Sequence, residues 1–205
     1  MIALGVSIAF SQKPWEKPPG EWTDAETRQI LTDSPWAKTV AARVWRRSAG
    51  NGSATLSHPE PFSTVVRWES ALPVRLALRK AGLSPTVSAD YTRSVVVVVS
   101  LPKNQAGQPF KSADSGTRPV AYLTATGSKP LSSLNSMSLK QDDNQPLLAF
   151  TFAKTPDLME ARELRLPFIL HRDLKKLRFH ATIGDWEIDQ EFPSRDMTFM
   201  GKPER

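Results

Sequence analysis

The stretch FSTVVRWESALPVRLALRKAGLSPTVSADYTRSVVVVVS (Phe62–Ser100) decides the fold. Over Phe62–Glu69, alternation places Phe62, Thr64, Val66 and Trp68 on one face and Ser63, Val65, Arg67 and Glu69 on the other, the period of a strand. Ser70 stands where a helix N-cap belongs, Pro73 falls in the first turn, and Gly82 follows the last apolar position. Between them Leu72, Val74, Leu76, Leu78 and Ala81 recur at spacings that give a helix one buried face. Val95–Val99 is apolar on both faces, so this strand is expected to be covered on both sides, at the centre of the core. The stretch reads as strand, capped helix, strand. It specifies a fold and carries no recognisable chemistry.

Toward the N-terminus, Lys13–Trp22 is a proline-rich arm with Trp15 and Trp22, expected to pack back on its own domain. Thr23-Asp24-Ala25-Glu26 is a capping box, so a short helix starts near Asp24 and includes Ile30 and Leu31. Ser34-Pro35 has the pattern of a second start, with serine at N-cap and proline at N1. From there a helix is expected to about Arg47, with Trp36, Val40 and Val44 beside Ala37, Ala41 and Trp45 as its apolar stripe. Ser48-Ala49-Gly50-Asn51-Gly52 ends it.

Toward the C-terminus, Leu101–Arg118 is rich in Pro, Gly, Ser, Lys and Asp without periodicity and reads as a long exposed loop. Val120–Thr126, Leu147–Ala153 and Leu164–Leu170 read as strands; Pro130–Lys140 is ambiguous. Leu177–Phe192 is the best-specified piece, a hairpin about Gly184-Asp185, which suits a II′ turn. Folding there pairs Ile183 with Trp186, Ala181 with Ile188 and Leu177 with Phe192. The other face pairs Thr182 with Glu187, His180 with Asp189 and Arg178 with Glu191. A last strand is expected around Met197–Met200. The fold class is α+β: a mainly antiparallel sheet or two-sheet sandwich with N-terminal helices and one strand–helix–strand unit. A right-handed crossover between parallel strands at Phe62–Glu69 and Tyr91–Ser100 stays open, but the later run of short strands argues against a doubly wound sheet.

A chain of 205 residues is one domain by length, and 40% hydrophobic with 23% charged residues is ordinary globular composition. Residues 1–11 read as a signal-peptide remnant and 12–205 as a single domain, with arm and helices over 12–50 and a sheet-rich core over 51–205. Met1–Phe10 (MIALGVSIAF) is uncharged and apolar, and Ala9-Phe10-Ser11 fits a small-x-small cleavage pattern. That pattern predicts export to the periplasm or medium. The run is too short to span a bilayer, and no later segment is long enough. With no cysteine, disulfides, thiolate metal sites and a cysteine nucleophile are excluded. The formal charge of +6 is compatible with an anionic partner, although evenly spread charges also serve solubility.

Candidate chemistry is sparse. Of three histidines, His58, His171 and His180, the last faces Asp189 in the hairpin, and a cross-strand pair accounts for it; neither Thr182 nor Ser194 has a nucleophile motif. Glu187, Asp189 and Glu191 line one strand face, but alternate strand residues do not make the oxygen cage of a calcium site. Ser100-Leu101-Pro102-Lys103 matches S-x-x-K without the helix that motif opens. No catalytic residue, metal ligand or cofactor is assigned. The densest basic run holds Arg172, Lys175, Lys176 and Arg178, with Arg43, Arg46 and Arg47 as a second group, and it is the candidate anion site. Nucleic acid is disfavoured as a partner, because its readout needs a recognition helix or stacking platform as well as charge.

Three stretches carry a resemblance: WTDAETRQILTDSPWAK (Trp22–Lys38), RWESALPVRLAL (Arg67–Leu78) and FPSRDMTFMGK (Phe192–Lys202). Together they resemble an uncharacterised family of exported bacterial proteins with similar LTDSPWA, RWxSAxPVR and FxxxDMxxxGK-like stretches. Ser194 stands where that family has an apolar residue. The resemblance implies export and brings no activity, cofactor or site residue. The reading that follows is an exported non-catalytic binding or structural module of the periplasm or cell envelope, its partner a protein or an anionic envelope polymer. One alternative is a small hydrolase, which predicts a pocket joining two carboxylates, or a carboxylate and a histidine, from different elements. The other is a binder of anionic polymer or nucleic acid through the basic run.

Overall fold

In the computed structural model the valine run has neighbours on both edges and cover on both faces. The structure describes residues 12–44, 62–87, 89–101, 118–125, 130–140, 145–154, 176–184 and 186–204. Two 3-10 turns (Pro14–Glu16, Pro19–Glu21) lead into helix α1 (Asp24–Thr32), strands β1 (Ala37–Val44) and β2 (Phe62–Trp68), and helix α2 (Leu72–Lys80). Strands β3 (Ser94–Ser100), β4 (Val120–Ala125), β5 (Leu131–Ser132), β6 (Asn135–Lys140) and β7 (Pro146–Ala153) follow. The rest are β8 (Leu177–Ile183), β9 (Trp186–Phe192), β10 (Thr198–Phe199) and β11 (Lys202–Pro203). β1 to β9 form one sheet in the order β5-β4-β8-β9-β1-β2-β3-β7-β6, and β10 with β11 forms a small hairpin. Every pairing among the described residues is antiparallel.

The α+β class with a mainly antiparallel sheet stands, among the described residues as one curled sheet with two helices rather than two sheets face to face. β5 and β6 lie at opposite ends of the strand order yet are separated only by Ser133 and Leu134. The Ser133 N–H donates to Ala121 O of β4 (2.9 Å), and the Leu134 N–H to Thr151 O of β7 (2.7 Å). One run of chain therefore serves both edges, and the sheet curls into a half-barrel. On the opposite side β1 pairs with β2 through residues 37–42 and with β9 through 43 and 44.

The inner face holds Val66 and Trp68, Val95, Val97 and Val99, Phe150 and Phe152, Phe179, Ile188 and Phe192. Edge-to-face contacts join Trp68 to Phe192 and Phe150 to Phe179, with ring centroids 5.6 Å and 5.8 Å apart. The even-numbered valines Val96 and Val98 belong to a smaller outer cluster with Leu147 and Ala149, covered by Val87, Ala89 and Tyr91. The hairpin register about Gly184 (φ +60°) is the expected one on both faces.

Two expectations are corrected, and one alternative left open is decided. The helix predicted from Ser34 to about Arg47 is strand β1 over its described part. Ser34 accepts from the Trp36 N–H (3.2 Å) and donates to Ile30 O (2.8 Å), closing a serine turn with the same local pattern as an N-cap. Beyond it burial alternates with period two, from exposed Thr39 to buried Ala42 and exposed Arg43. Pairing with two partners remote in sequence overrides the helical preference of Ala, Lys and Arg. Second, β2 and β3 are antiparallel, not parallel. Both the Glu69 and the Ser70 N–H donate to Val96 O, so β3 starts beside the point where β2 ends. Third, Ser70 does not cap α2. The N-cap is Ala71, and the Leu72 N–H donates to the Glu204 carboxylate (3.1 Å). At the other end Gly82 (φ +72°) closes a Schellman motif, its N–H on Arg79 O and the Leu83 N–H on Leu78 O. The strand expected at Leu164–Leu170, the Leu101–Arg118 loop interior and Met1–Ser11 lie outside the described residues.

Candidate functional site

Among the described residues two concave sites stand out, one between the 13–16 arm and the 193–201 turn and one on the outer face of the sheet. The arm builds the first by packing on its own domain, as expected. The Trp22 indole donates to Pro14 O (2.7 Å), Trp15 makes a T-shaped contact with Trp36 (6.2 Å), and Trp22 packs on Phe199 (6.1 Å). Trp36 in turn donates to Glu204 O (2.7 Å), tying the arm, the start of β1 and the C-terminal segment together.

Between them lies a cleft of about 540 Å³ lined by Trp15, the end of α1 and the 193–201 turn. It brings together Glu16, Asp33 and Asp196 from three segments, with Lys13, Lys38 and Arg195 among them. Lys38 is paired with Asp33 at 2.7 Å, and the Asp33 side chain is 71% exposed. Glu16 accepts from the Lys13 N–H (3.4 Å), and the Lys13 ammonium lies 5.9 Å from the Trp15 ring centroid. All three carboxylate residues are exposed. The arrangement is an indole surface bordered by charges of both signs, a chemistry suited to polar groups.

The second site is a groove of about 580 Å³ between α1 and the outer face of β2. Val65 and Arg67 form its floor with Ser100 of β3. Asp24, Thr27, Arg28 and Leu31 form one wall, and the C-terminal end of α2 with Lys80 the other. The spacing of the α1 residues, i, i+3, i+4 and i+7, puts them on one helix face. Arg67 is held from behind by Glu69, Nη2 to Oε2 at 3.0 Å, and the two side chains are 7% and 0% exposed. Glu69 also accepts from the Thr86 N–H (2.5 Å) and hydroxyl (2.6 Å), which fastens the chain after α2 to the sheet. Beside it, burial pushes the Tyr91 hydroxyl above the usual phenol range, and the Glu69 carboxylate adds to that.

Of the four residues of the expected anion site, Arg172 and Lys175 lie outside the described residues. Lys176 is paired with Glu191 (2.7 Å) and Arg178 with Asp189 (2.8 Å), both exposed on the β8–β9 hairpin. His180 Nδ1 lies 3.5 Å from Asp189, the expected cross-strand pair. His58 and His171 are outside the described residues. Neither concave site was legible as a site in the sequence. The strand pattern places Arg67 and Glu69 on one face; nothing local says that α1 covers it. Comparison with protein-family models, curated proteins and solved structures finds no match, so these geometries carry the functional argument.

Proposed function

We propose that the chain is an exported, non-catalytic binding module of the periplasm or cell envelope that holds an envelope polymer in the cleft beside Trp15. The observation that carries this reading is the cleft's make-up, an indole bordered by charged side chains of both signs from segments far apart in sequence, with Asp33 and Lys38 paired. An aromatic anchor gives apolar contact at low entropic cost, and the surrounding charges orient a polar chain. Export is supported by the apolar run Met1–Phe10 with its small-x-small site, and by the resemblance to exported bacterial proteins.

The test is cosedimentation of the purified chain with insoluble cell-wall polymer, with tryptophan fluorescence for soluble envelope polysaccharide. Trp15→Ala is expected to weaken binding by about tenfold or more, the usual weight of a tryptophan anchor. Absence of binding by the parent chain overturns the proposal. A second reading, hydrolysis, is favoured by the presence of Glu16, Asp33 and Asp196 in one cleft. Time-dependent release of soluble fragments that Asp33→Asn abolishes would establish it in place of the first.

A further inference from the structure

The groove under α1 is independent of that reading, and it has unmet donors. Arg67 and Thr27 are 6% and 3% exposed, both line the groove, and both carry a polar atom with no partner among the described residues: Arg67 Nε and Thr27 Oγ1. Removing such donors from water without an acceptor is unfavourable, and native proteins rarely leave it so. Arg28 and Lys80 stand on opposite walls, and among the described residues neither is joined to a carboxylate. The groove's charged lining is therefore Arg28, Arg67 and Lys80 against Asp24. Glu69, the carboxylate bound to Arg67, is fully buried and already engaged by Thr86.

A guanidinium fixed by a buried carboxylate is pre-organised: it holds its orientation before a ligand arrives and loses little freedom on binding. Its planar fork matches the two oxygens of a carboxylate or phosphate group. We propose that this groove is a binding site for an oxyanion, the carboxylate or phosphate group of a small ligand, with Arg67 at its floor and Arg28 and Lys80 closing over it. The Thr27 hydroxyl supplies a further donor. The hydroxyl, the three cations and the apolar Leu31, Val65 and Leu83 together fit a ligand with an anionic head and an apolar or neutral body.

The experiment titrates the full chain with inorganic phosphate, with acetate and with chloride at matched ionic strength. The readouts are calorimetry and the NMR signals of the Arg67 Nε–H and the backbone amides of residues 27, 28, 67 and 80. Saturable shifts with phosphate or acetate that chloride does not reproduce support the site, and the anion that saturates first names the head group. Arg28→Gln and Lys80→Gln, both at exposed positions that leave the Arg67–Glu69 pair intact, are each expected to weaken binding by about three- to tenfold. Trp15→Ala is expected to leave it unchanged, which separates this site from the cleft beside Trp15. Shifts that follow ionic strength alone, or that survive both glutamine variants unchanged, overturn the proposal.

Discussion

Glu69 has no contact with solvent and holds three donors, one from Arg67 and two from Thr86. Its weight follows from what those donors become without it. A buried guanidinium that loses its carboxylate partner keeps its full desolvation cost, and such single losses run to about 3–5 kcal/mol. Glu69→Ala is therefore expected to lower unfolding free energy by about that amount in a urea titration, and a loss below about 1 kcal/mol would show that the pair is solvated. At this scale the sequence was partly legible. Alternation in FSTVVRWE put Arg67 and Glu69 on a common face and away from Trp68, and the structure keeps both statements. Burial of a strand's second face depends on what packs over it, and here that is α1 and the segment after α2, neither of which the strand itself encodes.

Helix α1 shows an element whose ends are set locally. Thr23 accepts from the Glu26 N–H (3.2 Å), and Glu26 accepts from the Thr23 N–H (2.8 Å) and from the Lys17 ammonium. The bond from Lys17, and after it the Thr23 N–H, hold the Glu26 carboxyl below the usual carboxylate range. A carboxyl depressed in the folded state lends stability above its unfolded value and loses it as pH falls through the folded value. Acidification below the ordinary glutamate range is thus expected to fray the start of α1, seen as a loss of helical circular dichroism. Glu26→Gln is expected to flatten that pH dependence; an unchanged acid limb would remove Glu26 from the account. β1 shows the opposite case. Ala37–Val44 has good helix formers after a serine–proline pair, and it is a strand because β2 and β9 supply its backbone partners. The same local pattern, a serine accepting from the N–H two residues on, opens either a helix or a turn.

For the whole molecule, Glu204 links parts distant in sequence. Its carboxylate accepts from the Leu72 N–H at the start of α2, its carbonyl from the Trp36 indole, and its N–H donates to Met197 O (2.8 Å). A carboxylate at a helix N-terminus is favoured by the unsatisfied N–H groups and the dipole, an effect of about 1 kcal/mol. Nearby, burial pulls the Lys154 ammonium below the usual lysine range, with Glu204 opposing that shift. Glu204→Ala is expected to cost about 1 kcal/mol by urea unfolding and to raise hydrogen exchange in the first turn of α2. Unchanged exchange there would mean that α2 is capped by solvent. The same logic governs the sheet, in which Leu131–Ser132 and Asn135–Lys140 take opposite edges of one strand order.

By itself the sequence determined the pieces whose partners are near: the capping box of α1, the C-terminal glycine of α2, the buried valine strand, and the hairpin about Gly184 with both its faces in register. These follow from period, cap and turn chemistry within about fifteen residues. Tertiary structure alone decided that Ala37–Val44 is a strand and that β2 and β3 run antiparallel. It also decided that Glu204 caps α2, and that Arg67 floors a groove beneath α1. Each of those depends on a partner far along the chain, and a local pattern holds no information about which remote segment will satisfy a backbone donor or cover a charged face.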